Sequence, residues 1–518
     1  MPVTPKFLNA FKEFSSDQSG AVAVILAVAT IPLLMAAGVA VDYGNATSVQ
    51  ARLQAATDAA ALGAGREGYK TQAELEIIAD AYLKSNFAAA ANDPQPTMTL
   101  SVDDTGKLRV DGSVRVKNYL TTIVGYQYTT VAATSQVTKD ANGLEVVLVF
   151  DNTGSMGNQS RLSTLKVAAH DFVEILFGPR ETAEKLKIGV VPFSQFVNVG
   201  PNKSTESWLD TGGLNPYSKV NFTDTSWHNW HAWTKVTNRS WTGCVESRAG
   251  AMSVDDTEPD TNNGATLFPP AFAPDEPGDN ASTTSFSTGS GTVYYKNSYL
   301  PDSWTGNLSD VQRHQGKYVG ASASSTSRGP DKGCNIQAIL PLSNVKQPVL
   351  DTLNAMEASG YTHVAEGVGW GLRVLSSTAP FTEGVPYSED KITKAMVLLT
   401  DGENTLQTSD NSINLSSNHN GSTYTAYGYL KQARLGSSNY NTAIAAQNTL
   451  LTQACNNVKA QEIVLYSFAY NVPSATQRNL IKNCATDAEK YFDPPTNAAL
   501  VQSFQQIADE LRRLHLSD

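Results

Sequence analysis

The sequence predicts an α/β protein with an N-terminal transmembrane helix, a small α+β stalk, and a doubly wound, mostly parallel sheet with a large insertion. Three observations predict this organisation. A charge-free apolar run covers residues 21–41, strand-like and helix-like segments alternate from Leu144 onward, and two long polar stretches interrupt the alternation. The 518 residues are enough for two or three folded units.

The apolar run AVAVILAVATIPLLMAAGVAV, from Ala21 to Val41, has the length that a helix needs to cross a bilayer once. A cleaved signal peptide is the alternative, but its apolar region spans only about 7 to 15 residues. Lys6 and Lys12 precede the run and Asp42 follows it, so the positive-inside rule places the N-terminus in the cytoplasm. No later run is long enough for a second span, and we expect a single-pass protein with its mass outside.

The segment after this helix predicts a small α+β stalk. A helical stretch, AELEIIADAYLKS, is followed by TMTLSV and KLRVDGSVRV, which are separated by Asp-Asp-Thr-Gly. Two strand-like segments joined by such a turn indicate a hairpin. No catalytic arrangement is visible in this part, which we interpret as a spacer.

The remaining sequence predicts a parallel sheet flanked by helices. Strand-like LEVVLVF, KLKIGVVPF, KAMVLLT and EIVLYSFAY alternate with helix-like RLSTLKVAAHDFVEILF and AEGVGWGLRVL. The terminal NAALVQSFQQIADELRRL has apolar residues at helical spacing, so we expect it to close this domain. An amphipathic membrane helix is the alternative interpretation.

Two polar insertions interrupt the alternation, at about residues 200–337 and 404–438. Loops of this length are uncommon in compact domains unless they are functional or disordered. The longer insertion contains six tryptophans, which favour either a folded subdomain or an exposed binding face. They are Trp208, Trp227, Trp230, Trp233, Trp241 and Trp304. The folded subdomain is the simpler interpretation.

The four cysteines predict two disulfides and an oxidising compartment. They are Cys244, Cys334, Cys455 and Cys484, and they form no CxxC pair of the kind that binds zinc. Their order suggests Cys244 with Cys334 and Cys455 with Cys484, although four cysteines allow three connectivities. Buried free thiols are the alternative.

The net charge of −11, with lysines and arginines scattered singly, provides no basic stripe for a phosphate backbone. Nucleic acid is therefore excluded as a partner. The seven histidines are not accompanied by a GxSxG, HExxH or Walker-type motif. We therefore expect a protein that is not an enzyme.

Oxygen-bearing side chains follow two of the predicted core strands. Asp151, Thr153 and Ser155 come directly after LEVVLVF, and Asp401 comes directly after KAMVLLT. Thr362 lies at the start of a predicted helix and would reach the same edge, because ligands bind beyond the carboxyl ends of parallel strands. Carboxylates and hydroxyls suit a divalent cation, with Mg²⁺ expected and Ca²⁺ or Mn²⁺ as alternatives. Turn and capping residues are the other interpretation.

The D-x-T-x-S string, with Thr362 and VLLTDGEN, resembles the metal-ion-dependent adhesion site of von Willebrand factor A domains. The resemblance covers roughly Leu144 to Leu514 and puts Asp151, Thr153, Ser155, Thr362 and Asp401 on the motif, although the family more often has Ser at the position of Thr153. It implies a metal with one open position that an acidic side chain of a partner protein completes. Glu366 and Glu403 lie near the motif, and solvated surface positions explain them as well as a supporting role does.

The segment SGAVAVILAVATIPLLMAAGVAVDYGNATSVQARLQAATDAAALGAG resembles the N-terminus of TadE/TadG-like pilus-assembly proteins. With GYTHVAEGVGWGLRVL and the cysteine-bearing segments near the C-terminus, the chain is similar to TadG-like proteins of Tad/Flp systems. This resemblance implies an inner-membrane protein with a periplasmic, or surface-exposed, C-terminal part. It also implies a role in pilus assembly and surface adherence, with other pilus-assembly components as partners.

The expected organisation is a cytoplasmic N-terminus at 1–19, a transmembrane and juxtamembrane helix at 20–65, a stalk at 66–140 and an A-type domain at 141–518. Two other functions stay open. The chain could be an adhesin that binds an external ligand through the metal and the Trp-rich insertion. The less favoured alternative is an envelope hydrolase with its site inside the insertion.

Overall fold

The computed structural model describes residues 19–66, 72–89, 94–103, 107–138, 143–323, 327–410 and 413–516. These residues form two compact units, which divide between residues 141 and 142. Residues 1–18 lie outside the described residues. They include Lys6 and Lys12 and belong to the segment that was predicted to be cytoplasmic.

The first unit is an α+β fold with an antiparallel sheet in the order β1-β2-β3. Its elements are α1 (Ser19–Arg66), α2 (Gln72–Phe87), β1 (Thr97–Val102), β2 (Lys107–Lys117) and β3 (Tyr128–Thr138). The predicted hairpin is β1 and β2, with Leu100 opposite Val110. The third strand, β3, was not predicted, because polar and apolar residues do not alternate clearly in TSQVT and the residues that flank it.

Helix α1 has two parts with different surroundings. Within the described residues it is the one helix long and apolar enough to cross a membrane. Large side chains between Val24 and Val41 are mostly exposed, whereas Leu53 and Ala60 are fully buried against α2 and the sheet. The first part thus presents an apolar surface, and the second part is the core of the stalk.

The second unit contains the predicted alternating strands and helices. In chain order its elements are β4 (Gly143–Asp151), α3 (Arg161–Phe177), β5 (Leu186–Phe193), β6 (Val197–Asn198), α4 (Asn229–Lys235), β7 (Cys244–Val245), β8 (Thr284–Thr288), β9 (Gly291–Tyr295), α5 (Leu308–Arg313), β10 (Leu340–Ser343), α6 (Lys346–Ala355), α7 (Val364–Leu375), β11 (Ile392–Thr400), β12 (Ser409–Asp410), β13 (Ile413–Asn414), α8 (Tyr440–Ala460), β14 (Val464–Ala469), α9 (Ala475–Cys484), β15 (Tyr491–Phe492) and α10 (Asn497–Leu516).

The main sheet has the order β10-β5-β4-β11-β14-β15. All its neighbouring strands are parallel except β10, which pairs antiparallel with β5 at one edge. This confirms the predicted α/β class. The short strands β10 and β15 were not predicted, because each has too few residues to show a pattern.

Helices cover both faces of the sheet. Phe504 of α10 packs with Phe150 of β4 and Phe468 of β14, at ring-centroid distances of 5.8 and 4.9 Å. The apolar face of α10 is therefore buried in the core, as the domain-closing interpretation predicted. On the other face α7 lies close to the sheet, because a Cβ on Gly371 would be 2.6 Å from Val149.

The two insertions fold together as one body. Trp208, Trp233 and Trp241 are buried in the core that α7 and α8 share with the sheet. The hydroxyl of Tyr429, in the shorter insertion, donates to Glu276 of the longer one at 3.0 Å. The Trp-rich insertion is thus a folded subdomain, as the sequence favoured.

Both disulfides form, with the pairing that the chain order suggested. Cys244 pairs with Cys334, which joins the early and late parts of the longer insertion. Cys455 pairs with Cys484, which joins α8 to α9. No described cysteine is free.

His419 links the two insertions through hydrogen bonds. Its pKa determines how their packing responds to acid. Its Nδ1 lies 2.6 Å from the Tyr295 hydroxyl and its Nε2 lies 2.9 Å from Oε1 of Gln312. Burial, with a smaller effect from the charge of Lys317, lowers the pKa of His419 to about 4. The ring is therefore neutral in the folded protein at pH 7.

Acidification between pH 6.5 and 4 should destabilise the second unit, because the unfolded chain protonates His419 where the folded protein does not. After allowance for partial exposure, the loss is on the order of 2 kcal/mol from this residue. Denaturant unfolding at pH 7.5 and 5 should show a smaller pH effect in His419→Gln than in the wild type. The exposed His170→Gln is the control, and an unchanged pH effect in His419→Gln would contradict this assignment.

Candidate metal centre

The site begins where two adjacent parallel strands end. Phe150 of β4 lies opposite Leu399 of β11, so the residues that follow, Asp151 and then Thr400 and Asp401, reach the same edge. Asp151 is fully buried and Asp401 is nearly so. The parallel register thus brings together two carboxylates that are far apart in the sequence.

Hydroxyl groups hold both oxygens of Asp151. Its Oδ1 accepts hydrogen bonds from the Thr153 amide at 2.9 Å and the Thr153 hydroxyl at 2.6 Å. Its Oδ2 accepts from the Thr400 hydroxyl at 2.6 Å. Thr400 was missed in the sequence, where its position beside Asp401 was the available signal.

A short chain of hydroxyls joins the two carboxylates. The hydroxyls of Thr153 and Ser155 are 3.0 Å apart, and Ser155 donates to Oδ1 of Asp401 at 2.6 Å. The other oxygen of Asp401 accepts a hydrogen bond from Nη1 of Arg161 at 2.7 Å. Asp151, Thr153, Ser155 and Asp401 therefore form one connected cluster.

Thr362 reaches the cluster from a loop, not from the first turn of a helix as the sequence suggested, because α7 begins at Val364. Its hydroxyl is 3.4 Å from that of Thr153. The Gly154 amide donates to the Gly360 carbonyl at 3.1 Å, which docks the loop on the turn after β4. Gly360 has a φ of 84°, a conformation that favours glycine.

The electrostatics of the site favour an added cation. Burial, followed by the charge of Asp401, raises the pKa of Asp151 to about 7. The guanidinium of Arg161 offsets only one of the two carboxylates. A metal ion placed here would be stabilised by the remaining negative charge.

The residues present fit a hard divalent cation. Two carboxylates and three hydroxyls are the oxygen donors that Mg²⁺, Mn²⁺ and Ca²⁺ accept. A Cβ on Gly402 would lie 3.4 Å from the hydroxyl of Thr362 and 3.8 Å from that of Ser155, so a larger residue would narrow the space beside these oxygens. The described ranges contain no group of three or more His, Cys, Asp or Glu side chains that could hold a metal. This site has only two carboxylates, so most of its oxygen donors are hydroxyls.

The structure corrects one interpretation and adds one residue. Glu366 is buried, so the solvated-surface explanation is wrong for it, whereas Glu403 is exposed.

Arg161 follows two residues with positive φ, Gln159 at 51° and Ser160 at 58°. Such backbone strain often occurs at functional sites. Arg161 could not be identified from the sequence, since its distance from the Asp401 carboxylate depends on this turn.

Comparison with known proteins identifies the N-terminal helix. Residues 20–67 match the family model described as "Putative Flp pilus-assembly TadE/G-like". Residues 20–67 are a TadE/G-like segment. This confirms the resemblance found in the sequence. No curated protein matches the chain.

Several solved structures resemble this chain. The von Willebrand factor domain of the pilus tip protein Mfa5 from Porphyromonas gingivalis matches 71% of this chain and 95% of its own, with 11% identity and a TM-score of 0.32. The pilus adhesin SpaC from Lactobacillus rhamnosus GG matches 82% of this chain, with 11% identity and a TM-score of 0.32. The chain spans 35% of the length of SpaC.

A von Willebrand factor type A protein from Catenulispora acidiphila matches 82% of this chain and 52% of its own, with 9% identity and a TM-score of 0.27. All of these TM-scores are below 0.5. The description of the fold therefore rests on the strand order and register of the chain itself.

Removal of Arg161 should raise the affinity of the site for a divalent cation. In Arg161→Gln the Asp401 carboxylate loses its internal counter-charge, so Mg²⁺ or Mn²⁺ should bind about tenfold more tightly, a change of about 1.4 kcal/mol. Titration calorimetry of the purified chain measures this. Arg180→Gln changes an exposed arginine outside the cluster and is the control. Equal or weaker affinity in Arg161→Gln would show that Arg161 supports the site instead of opposing the cation.

Proposed function

We propose that this chain is a membrane-anchored component of a Tad/Flp pilus-assembly system whose second unit binds partner proteins through a divalent cation. The TadE/G-like segment supports the pilus assignment. The observation that carries the metal assignment is the hydrogen bond of 2.6 Å between Ser155 and Asp401, which lie 246 residues apart. It joins the predicted ligands from two strand ends into one group.

Asp151, Thr153, Ser155, Thr362 and Asp401 would hold the cation. When bound, the cation supplies a Lewis-acidic position that a carboxylate can occupy. The chain's own residues prepare this position. Thr400 orients Asp151 through Oδ2, and the loop bearing Thr362 is fixed by its backbone hydrogen bond to Gly154. The partner in this proposal offers an exposed Glu or Asp side chain.

The membrane part of the proposal is a single span in the inner membrane, with both folded units in the periplasm. The apolar first part of α1 supports the span, and the two disulfides support an oxidising compartment. The proposed function is binding. Adherence follows from pilus assembly, and the metal position does not itself carry out a reaction.

The metal site predicts a simple binding result. The purified full chain in detergent should bind Mg²⁺, Mn²⁺ or Ca²⁺ in titration calorimetry, and Asp151→Ala should lose this binding because it removes a buried carboxylate ligand. Asp390→Ala removes an exposed aspartate and is the matched control. Circular dichroism and intact disulfides establish that each variant is folded. Equal binding by Asp151→Ala and wild type would place the cation elsewhere.

A crosslinking experiment separates pilus assembly from adhesion to an external ligand. Glu403 is exposed and lies two residues after Asp401, so it is a suitable position for a photoreactive amino acid. In cells with pili, crosslinks from this position should reach a pilus-assembly component and should disappear in Asp151→Ala. The same replacement at Asp390 is the control. Crosslinks that form only when an external surface ligand is added would favour the adhesin.

A further inference from the structure

The loop between β2 and β3 exposes an unusual amount of apolar surface. This hairpin foot, residues 118–127, contains Tyr119, Leu120, Ile123, Val124 and Tyr126. All five are exposed, and Ile123 is 85% exposed. No charged residue occurs between residues 118 and 138. In water such a group of side chains is a marker of an interaction surface.

The hairpin foot is tied to α1 at the point where the apolar run ends. The carboxylate of Asp42 accepts hydrogen bonds from the amides of Tyr119, Leu120 and Thr121, at 2.9, 3.0 and 2.7 Å. A Cβ on Gly38 would be 3.0 Å from Cβ of Leu120. With a helical rise of about 1.5 Å per residue, Gly38 lies about 6 Å inside the apolar run from Asp42.

The rest of the sheet extends away from this end of the helix. Along β3, the carbonyl of Thr134 accepts a hydrogen bond from Gln54 at 3.1 Å, and Val137 lies against Gly65. As β3 proceeds from the loop, its contacts move along α1 away from the apolar run. The hairpin foot is therefore the part of the sheet nearest the membrane segment.

Basic side chains lie directly behind the hairpin foot. Lys117 is opposite Tyr128 in the β2–β3 ladder, and the guanidinium of Arg115 lies 4.6 Å from the centre of the Tyr128 ring. Both basic residues are exposed. An apolar tip with tyrosines, followed by lysine and arginine, is the order in which side chains meet the acyl chains and then the lipid headgroups.

We propose that the hairpin foot is a second membrane contact, which inserts into the leaflet from which α1 emerges. This inference rests on the proposed anchoring by α1. The bilayer is the occupant because the apolar surface of the foot continues the exposed apolar surface of α1 at the same level along the helix. Two points of contact would restrict the tilt of the stalk, which a single helix leaves free.

A depth measurement in a bilayer tests this inference. The full chain with Ile123→Cys is labelled with an environment-sensitive fluorophore and reconstituted in phosphatidylcholine and phosphatidylglycerol vesicles. The native cysteines are in disulfides and do not compete for the label. The matched control is Ile77→Cys, also an isoleucine and 71% exposed. Tyr82, on the same helix as Ile77, lies against Gly63, and Gly63 is about 30 Å along α1 from Asp42. Ile77 precedes Tyr82 on α2 and therefore lies at this distance or beyond it.

If the hairpin foot inserts into the membrane, the fluorophore at residue 123 should show blue-shifted emission. Its emission should also lose intensity when nitroxide lipids are present. The fluorophore at residue 77 should show neither change. Flotation of the same samples reports anchoring separately. Vesicle-bound chain with no quenching at residue 123 would overturn the hairpin foot and leave the anchor in place. Equal quenching at both positions would also overturn it, because the label would not report depth along α1. Chain that does not float with the vesicles would overturn the anchor and the inference together.

Discussion

The parallel pairing of β4 with β11 is the constraint on which the second unit depends. The two strands stay in register over their length, from Gly143 opposite Ile392 to Phe150 opposite Leu399. A shift by one residue would reverse which side chains face each layer of helices. It would also separate Asp151 from Thr400, whose hydrogen bond joins the two strand ends. The same hydrophobic pattern that builds the core therefore sets the geometry of the carboxylates.

Much of the fold was predictable because its signals are local. The apolar run, the hairpin of β1 and β2, and the long strands each contain enough residues to show a period. The short edge strands β10 and β15 gained their structure from neighbours, which a local pattern cannot reveal. The start of α7 was misplaced because the loop before it is held by a tertiary contact, the hydrogen bond from Gly154 to the carbonyl of Gly360.

Most of the proposed ligands were visible in the sequence, because Asp151, Thr153 and Ser155 lie within one turn at the end of β4 and Asp401 directly follows β11. Arg161 was not visible, since its position depends on two left-handed residues before it. Glu366 shows a different limit. A solvated surface position was one of its two interpretations, but the folded insertion covers the helix and raises the pKa of the carboxyl through burial. The sequence pattern of α7 contains no information about a cover contributed by residues more than a hundred positions away.

The contact between the insertion and α7 affects how this protein can change during evolution. Trp370 of α7 is buried beside Phe268 of the insertion, with ring centroids 4.7 Å apart, and Arg373 lies over the same phenylalanine ring. The insertion is therefore not a removable module, although Cys244 and Cys334 bring its early and late parts together. Its loss would uncover a tryptophan and a buried arginine on the helix that follows Thr362. Variation is thus freer on the outer surface of the insertion than where it covers α7, and lineages that replaced the insertion would have had to redesign that helix at the same time.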